Sequence, residues 1–367
     1  MEMGRARVIY QIKPAILGLF AFVATHAFAE EKDLSLPAEL DLPAALMIAA
    51  EHNYAILQAK ERITENEGVV IEVKASRKPQ VEFSYNYTHL DRNRIEKFGG
   101  TAFGTDQNWN IDVVLRQQIY SGGGSTAQVA DKSSRVEAAK QELKAVMAEQ
   151  LFQVKERFYK LLLAKKKVGV QKETLDLLEN QLKTVSDRSE AGTVSDFEVL
   201  RAKVALANGR PPLIRARKDY QLAWEKLKTV LGYRHVVGDS VKMMPAILGE
   251  LVYHEESIDL RTALENARLN RHELKQLSEI ENAAMNNIGA KQSLYHPRLG
   301  VFLGYQGKKS DFSNQLDEVV QGWAVGIEGT WSIFEGFRTK AKIKQARSQY
   351  KQAQLSSQSK ASEINEE

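Results

Sequence analysis

The residue types that perform covalent chemistry are sparse and irregularly placed in this chain of 367 residues. There is no cysteine, which excludes a thiolate nucleophile, a thiolate metal site, a disulfide framework and a lipid anchor on a mature N-terminal Cys. The 7 histidines are scattered, with no His-Glu-x-x-His and no paired spacing for zinc. Ser357-Gln358-Ser359-Lys360 has the Ser-x-x-Lys form of an acylating serine, but it sits in a Gln/Ser-rich stretch where chance explains the spacing. Gly122-Gly123-Gly124 is not followed by Gly-Lys-Ser/Thr, so it reads as a break between elements rather than a phosphate cradle. No residue is assigned a catalytic, cofactor-binding or metal-binding role, and the chain is not read as an enzyme. The charged residues in a patterned setting are Glu82, Asp112 and Glu328, each on the polar side of an alternating segment. Lys plus Arg (51) nearly balance Asp plus Glu (47), the net charge is +4, and the signs are interspersed, so no basic patch points to nucleic acid.

The elements that position these charges are strands. Val81-Glu82-Phe83-Ser84-Tyr85-Asn86-Tyr87-Thr88 alternates apolar and polar residues, the period of a strand with one apolar face. Trp109, Ile111, Val113 and Leu115 alternate with Asn110, Asp112, Val114 and Arg116. Leu299, Val301, Leu303 and Tyr305 share one face of a third strand, and Trp323, Val325, Ile327 and Trp331 one face of a fourth. A helix is expected from Leu42 to about Ser76, ended by Pro79. A much longer one runs from Ser125 to about Arg188, where Val136, Ala139, Leu143 and Val146, then Leu175, Leu178, Leu182 and Val185, recur at coiled-coil spacing. It stops at Ala191-Gly192. Ser195-x-x-Glu198 then predicts a capping box opening a second helix, with a seam of Phe197, Leu200, Val204 and Ala207. Pro211-Pro212 is expected to interrupt or kink that helix before Gly232 closes it.

The pattern occurs twice. Shifted by 218 positions, Leu42-Pro43-Ala44-Ala45-Leu46 falls on Leu260-Arg261-Thr262-Ala263-Leu264, Pro79 on Pro297 and Tyr87 on Tyr305. After a loop four residues shorter in the second copy the offset is 214, and Trp109 meets Trp323, Tyr120 meets Phe334 and Gly122 meets Gly336. The first repeat occupies 30–250, with a helix, a β-hairpin at 80–120, a long helical hairpin at 125–232 and a linker. The second occupies 251–367, with a helix, a β-hairpin at 298–334 and the start of a long helix. Glu367 corresponds to Gln153, so the repeat predicts a C-terminally truncated sequence lacking the counterpart of 154–232. Residues 1–29 read as a secretory signal peptide: basic Arg5, Arg7 and Lys13, an apolar run from Ala15 to Ala24, and Ala27-Phe28-Ala29 as the cleavage pattern.

Strands with one apolar face, in an exported protein with no other long apolar run, suit a membrane only as part of a closed barrel. Four strands cannot close alone, so several chains must pool them. Tyr85, Tyr87, Trp109, Tyr120, Tyr305, Trp323 and Trp331 fit aromatic girdles, and Glu82, Asp112 and Glu328 fit a wet lumen.

The chain resembles the outer membrane efflux proteins, the TolC-like channels. The resemblance rests on the two strand-exit motifs, Leu115-Arg116-Gln117-Gln118-Ile119-Tyr120-Ser121-Gly122-Gly123 and Thr330-Trp331-Ser332-Ile333-Phe334-Glu335-Gly336, and on the hairpin-tip motif Ala191-Gly192-Thr193-Val194-Ser195-Asp196-Phe197-Glu198-Val199-Leu200-Arg201-Ala202. Gln118 and Ser332 stand in place of the usual proline, Phe337 in place of the second glycine, and Glu198 in place of the usual Asp. The resemblance implies an α+β membrane protein with long antiparallel helical hairpins forming a coiled-coil barrel. It implies four transmembrane strands per chain in a trimeric 12-stranded β-barrel, in the outer membrane, with the helices in the periplasm. It further implies a homotrimer that serves as a passive export conduit in tripartite efflux or type I secretion. Its hairpin tip, Gly192, Thr193, Val194, Ser195, Asp196 and Glu198, would dock a periplasmic adaptor bound to an inner-membrane transporter. The alternatives are a secreted coiled-coil structural protein, which does not account for four aromatic-rich strands, and a periplasmic adaptor, which would not duplicate the whole unit.

Overall fold

The elements succeed one another in the order of the repeat. The computed structural model describes residues 37–95, 97–98, 101–102, 105–233, 244–253, 255–310 and 316–367; the expected signal peptide, 1–29, lies outside them. Strand β1 (Glu39–Leu40) precedes helices α1 (Leu42–His52) and α2 (Tyr54–Ala75) and strand β2 (Gln80–His89). The short strands β3 (Lys97–Phe98) and β4 (Thr101–Ala102) lie in the connection to β5 (Gln107–Tyr120). The long helices α3 (Gly124–Glu190) and α4 (Asp196–Leu231) follow, then β6 (Ala246–Ile247). The second copy comprises α5 (Leu260–Asn270), α6 (His272–Gln292), β7 (Arg298–Lys309), β8 (Val319–Thr330) and α7 (Arg338–Glu366).

Local chemistry explains the shared frame. Asp41 accepts from Ala44 N at 2.8 Å and Asp259 from Thr262 N at 3.0 Å, so the same acidic cap starts α1 and α5. The single helix expected from 42 to 76 is two helices. Asn53 adopts φ −62°, ψ 124°, and its side-chain oxygen accepts from Ala55 N and Ile56 N at 2.9 and 3.2 Å, while its own N–H reaches Ala49 O. The apolar periodicity runs through the break because α1 and α2 both pack against α3. Arg271 makes the equivalent break in the second copy, with φ −60° and ψ 123°.

At ~1.5 Å per residue, the 67 residues of α3 extend on the order of 100 Å. Its middle holds the core: Val154, Phe158, Leu161 and Leu162 meet Trp224, Leu227 and Leu231 of α4, near Leu40 and Ile247 of the parallel pair β1–β6. Toward the hairpin tip the seam differs from the expected one. Phe197, Leu200 and Val204 are 69, 58 and 52% exposed, whereas Ala202 and Leu213 are buried. A Cβ on Gly209 would come within 2.7 Å of Leu178 Cδ1, so α3 and α4 approach closely there at a small residue. The spacing rule identifies a stripe, but the larger side chains lie on the neighbouring, open stripe. The prolines do not interrupt α4, which runs unbroken through Pro211-Pro212, held to α3 by Ala202 and Leu213 on either side.

Among the described residues the long strands form one antiparallel sheet in the order β2-β5-β7-β8. The helices repeat that order beneath it: α2 packs on α3, α3 on α6 and α6 on α7.

Candidate functional site

Directly paired residues share a face of an antiparallel sheet, so the register decides what each face carries. Phe83 pairs with Val113, Val113 with Tyr305 and Tyr305 with Trp323. One row lower, Val81, Leu115, Leu303 and Val325 align in the same way. All four apolar stripes therefore lie on one side of the sheet. That side is open: Phe83 is 66% exposed and Val325 81%. Among the described residues no strand pairs with the outer edge of β2 or of β8.

The aromatic residues fall into two bands on this side. Tyr87 pairs with Trp109 near the loop end, with Tyr85 and the Tyr305–Trp323 pair (ring centroids 4.8 Å apart) close by. Tyr120 lies at the helix end, brought opposite Leu299 by a β-bulge after Gln118, and Trp331 follows the last residue of β8 at the same end. Trp109 and Tyr120 are eleven residues apart in β5, about 37 Å along the strand. Both outlying tryptophans are anchored, Trp109 Nε1 donating to Leu316 O at 3.2 Å and Trp331 Nε1 to Tyr295 O at 3.0 Å. In the first copy Gln117, the counterpart of Trp331, donates from Nε2 to the equivalent carbonyl, Arg77 O, at 2.9 Å.

The opposite face carries the charged residues, with Val114, Phe302 and Ala324 among them. Glu82, Asp112 and Glu328 all lie on it, but at different heights: Glu82 opposite Val114, Asp112 opposite Ser84 and Gln306, and Glu328 opposite Gly300. Glu82 pairs with Arg116 at 2.9 Å, and Asp112 accepts from Asn110 Nδ2 at 2.6 Å. At the helix end Lys78, Arg116, Arg298 and Glu328 line a cleft of about 300 Å³. The cations of this face were not singled out from the sequence, although alternation already placed Arg116 on the polar side.

About 100 Å of helix separates the sheet from the hairpin tip, which is exposed apart from half-buried Val194. Gly192, at φ +70°, ends α3 in a Schellman motif: its N–H reaches Ser189 O at 2.9 Å and Thr193 N reaches Arg188 O at 2.9 Å. Thr193 Oγ1 also donates to Arg188 O at 2.8 Å. Ser195 is the N-cap of α4, but the capping box is not formed. No side-chain cap bond is made, and Glu198 N reaches the Ser195 carbonyl instead. Asp196 accepts from Ser189 Oγ at 3.3 Å across the turn, and the Glu198 carboxylate lies 4.0 Å from Arg201. Among the described residues no group of three or more His, Asp or Glu could hold a metal ion, and no helix is long and apolar enough to cross a membrane.

The chain is 25% identical over 295 residues to the cobalt-zinc-cadmium resistance protein CzcC of Cupriavidus metallidurans, covering 78% of this chain and 63% of that protein. It is 21% identical over 322 residues to the outer membrane efflux protein BepC of Brucella suis, covering 86% of this chain and 65% of the other. The chain thus spans less than two thirds of the length of these relatives. The crystal structure of the Campylobacter jejuni CmeC outer membrane channel superposes with a TM-score of 0.70 at 15% identity, covering 98% of this chain and 76% of that one. The family model for outer membrane efflux proteins matches residues 45–233 and 263–366, and the chain belongs to that family.

Proposed function

We propose that this chain builds the outer membrane channel of a tripartite efflux or type I secretion system, a passive conduit through which an inner-membrane transporter exports its cargo. The single observation that carries this reading is the register: it stacks four apolar stripes on one exposed side of a sheet whose two outer edges are unpaired among the described residues. An isolated sheet of that kind would aggregate in water. Pairing β8 of one chain with β2 of the next removes both edges, and three copies make a barrel of twelve strands with its apolar side toward lipid. The polar face, with Glu82, Asp112 and Glu328, then lines the water-filled lumen, and the aromatic bands become interfacial girdles.

The same logic extends to the helices. The exposed stripe of Phe197, Leu200 and Val204 on α4 is free to pack against a further hairpin, as a tunnel wall across the periplasm requires. The tip, Gly192 to Asp196 with Glu198, is the docking point for a periplasmic adaptor. Chemistry at the site is limited to ion selection and passage, and the energy for transport comes from the transporter.

The test is reconstitution of the protein, purified in detergent, into planar bilayers. The expected result is a trimer by light scattering with discrete conductance steps, and a cation preference that falls when Asp112→Asn and Glu328→Gln are combined. A monomer that neither inserts nor conducts would overturn the reading.

A further inference from the structure

We propose that the cleft between the α6–β7 turn and the start of α7 binds the phosphate head group of an anionic phospholipid in the membrane leaflet facing the helices; this rests on the membrane reading above. The cleft has a volume of about 650 Å³. Gln292, Tyr295 and His296 form one wall, and Lys340, Lys344 and Arg347 the other. The spacing i, i+4, i+7 puts the three cations on one side of α7. All three are exposed, and among the described residues no carboxylate lines the cleft and no ion pair engages them. Lys340 Nζ lies 5.9 Å from the centre of the Phe337 ring.

The fold does not require these charges. At the 214 offset the first copy has Thr126, Ala130 and Ser133 in their places, on the same frame. There Arg77, the counterpart of Tyr295, donates to Thr126 Oγ1 at 3.1 Å, so the corresponding groove is closed by a direct bond. In the second copy the groove is open, and its cations converge without a counter-charge.

The surroundings identify the anion as part of a lipid. Trp331, immediately after the end of β8, is bonded to the carbonyl of Tyr295 on the rim of the cleft. Phe334 and Phe337, 80 and 70% exposed, meet edge to face at 6.0 Å beside the cations. Phe337 is also the one non-glycine among the described residues with positive φ, +65°, where its counterpart is Gly123. A ring kept in that conformation and left open to solvent by its own chain fits a hydrocarbon boundary. Exposed rings next to a cation cluster match an anion that ends in acyl chains; a free phosphate would use only the cations.

The experiment measures lipid selectivity. The full chain is reconstituted in phosphatidylcholine vesicles containing trace spin-labelled phosphatidylglycerol or spin-labelled phosphatidylcholine, and the immobilised fraction of each is read by electron spin resonance. Each cation near an anionic lipid contributes roughly a fivefold factor. The parent should prefer phosphatidylglycerol by about fivefold or more. Lys340→Gln/Lys344→Gln/Arg347→Gln should bring the ratio close to one, and the charge-matched Lys166→Gln/Lys167→Gln/Lys172→Gln should leave it unchanged. Unchanged selectivity in the cleft variant would overturn the proposal. So would selectivity abolished by millimolar inorganic phosphate at constant ionic strength, which assigns the cleft to a free anion. Loss of the trimer in the cleft variant with selectivity intact would assign it to a second copy, with the same result. Protein that does not float with the vesicles at all would overturn the membrane reading itself, whereas protein that inserts without selectivity overturns the lipid site alone.

Discussion

At the first strand-to-helix junction Gly122 and Gly123 take φ of +61° and +80°; at the second, Gly336 and Phe337 take +59° and +65°. The two junctions thus keep one backbone path with different side chains. The first is enclosed: a Cβ on Gly122 would lie 2.5 Å from His296 Cβ and 2.9 Å from Ser293 O. The second is open, with nothing within 4 Å of a Cβ on Gly336. The helix breaks above them differ similarly. Asn53 is buried, caps α2 and donates to Val230 O at 2.7 Å, while Arg271 makes surface ion pairs with Glu273 and Glu367. A duplicated unit preserves the backbone path, because the strand register and helix packing depend on it. The side chains diverge according to what each copy faces.

The largest effect comes from the paired glycines. Gly336→Ala meets only the cost of a left-handed residue, about 1–2 kcal/mol. Gly122→Ala adds overpacking against His296 and Ser293, for a total of about 4 kcal/mol. Denaturant unfolding in detergent separates the two, and equal losses would break the distinction between an enclosed and an open junction. Next, Asn53→Ala removes a helix cap and leaves the buried Val230 carbonyl without its donor, about 3 kcal/mol, against under about 1 kcal/mol for Arg271→Ala. Amide exchange at the start of α2 and of α6 localises each loss. Phe337→Gly should stabilise the detergent-solubilised protein by about 1 kcal/mol by relieving the left-handed phenylalanine; a lower melting temperature would show that the ring packs against the protein.

The smallest effect separates the two acidic caps. Asp259 accepts from both the hydroxyl and the backbone N–H of Thr262, which holds its carboxyl below the usual range. Ala44, the counterpart of Thr262, has no hydroxyl to offer Asp41. A carboxyl with a lowered folded pKa contributes its full stability above the unfolded value, ~3.9, and loses it as pH falls through the lowered folded value. The melting temperature of Thr262→Ala should therefore lie below that of the parent at neutral pH and approach it below about pH 4. A gap that persists to pH 2 would mean that the hydroxyl acts through packing.

Much of this was legible in the chain. The alternation from Val81 to Thr88 marks β2 to within one residue at each end, and the 218 and 214 offsets align the long strands and the starts of the helices, but not the short strands β1, β3, β4 and β6 or the break at Asn53. Alternation also assigned Glu82, Asp112 and Glu328 to polar strand faces without showing that the register would put all three on one side. The partner of the α4 seam was not legible: Phe197, Leu200 and Val204 have the right spacing and the larger side chains but lie open in the single chain, while the stripe facing α3 runs through Ala202, Gly209 and Leu213. Ser195 and Glu198 have capping-box spacing, but the box did not form, because the Ser195 carbonyl accepts the bond instead.

The sequence by itself determined the alternation of the strands, the breaks at Gly192 and Gly232 and before Pro79, and the duplication, since these depend on neighbours along the chain. Only the tertiary structure decided which stripe of each helix is covered, that four separate apolar faces become one surface, and that Lys340, Lys344 and Arg347 meet Tyr295 and His296 across a cleft. These depend on register and helix rotation, which are set by the packing of segments far apart in the chain and not by the composition of either one.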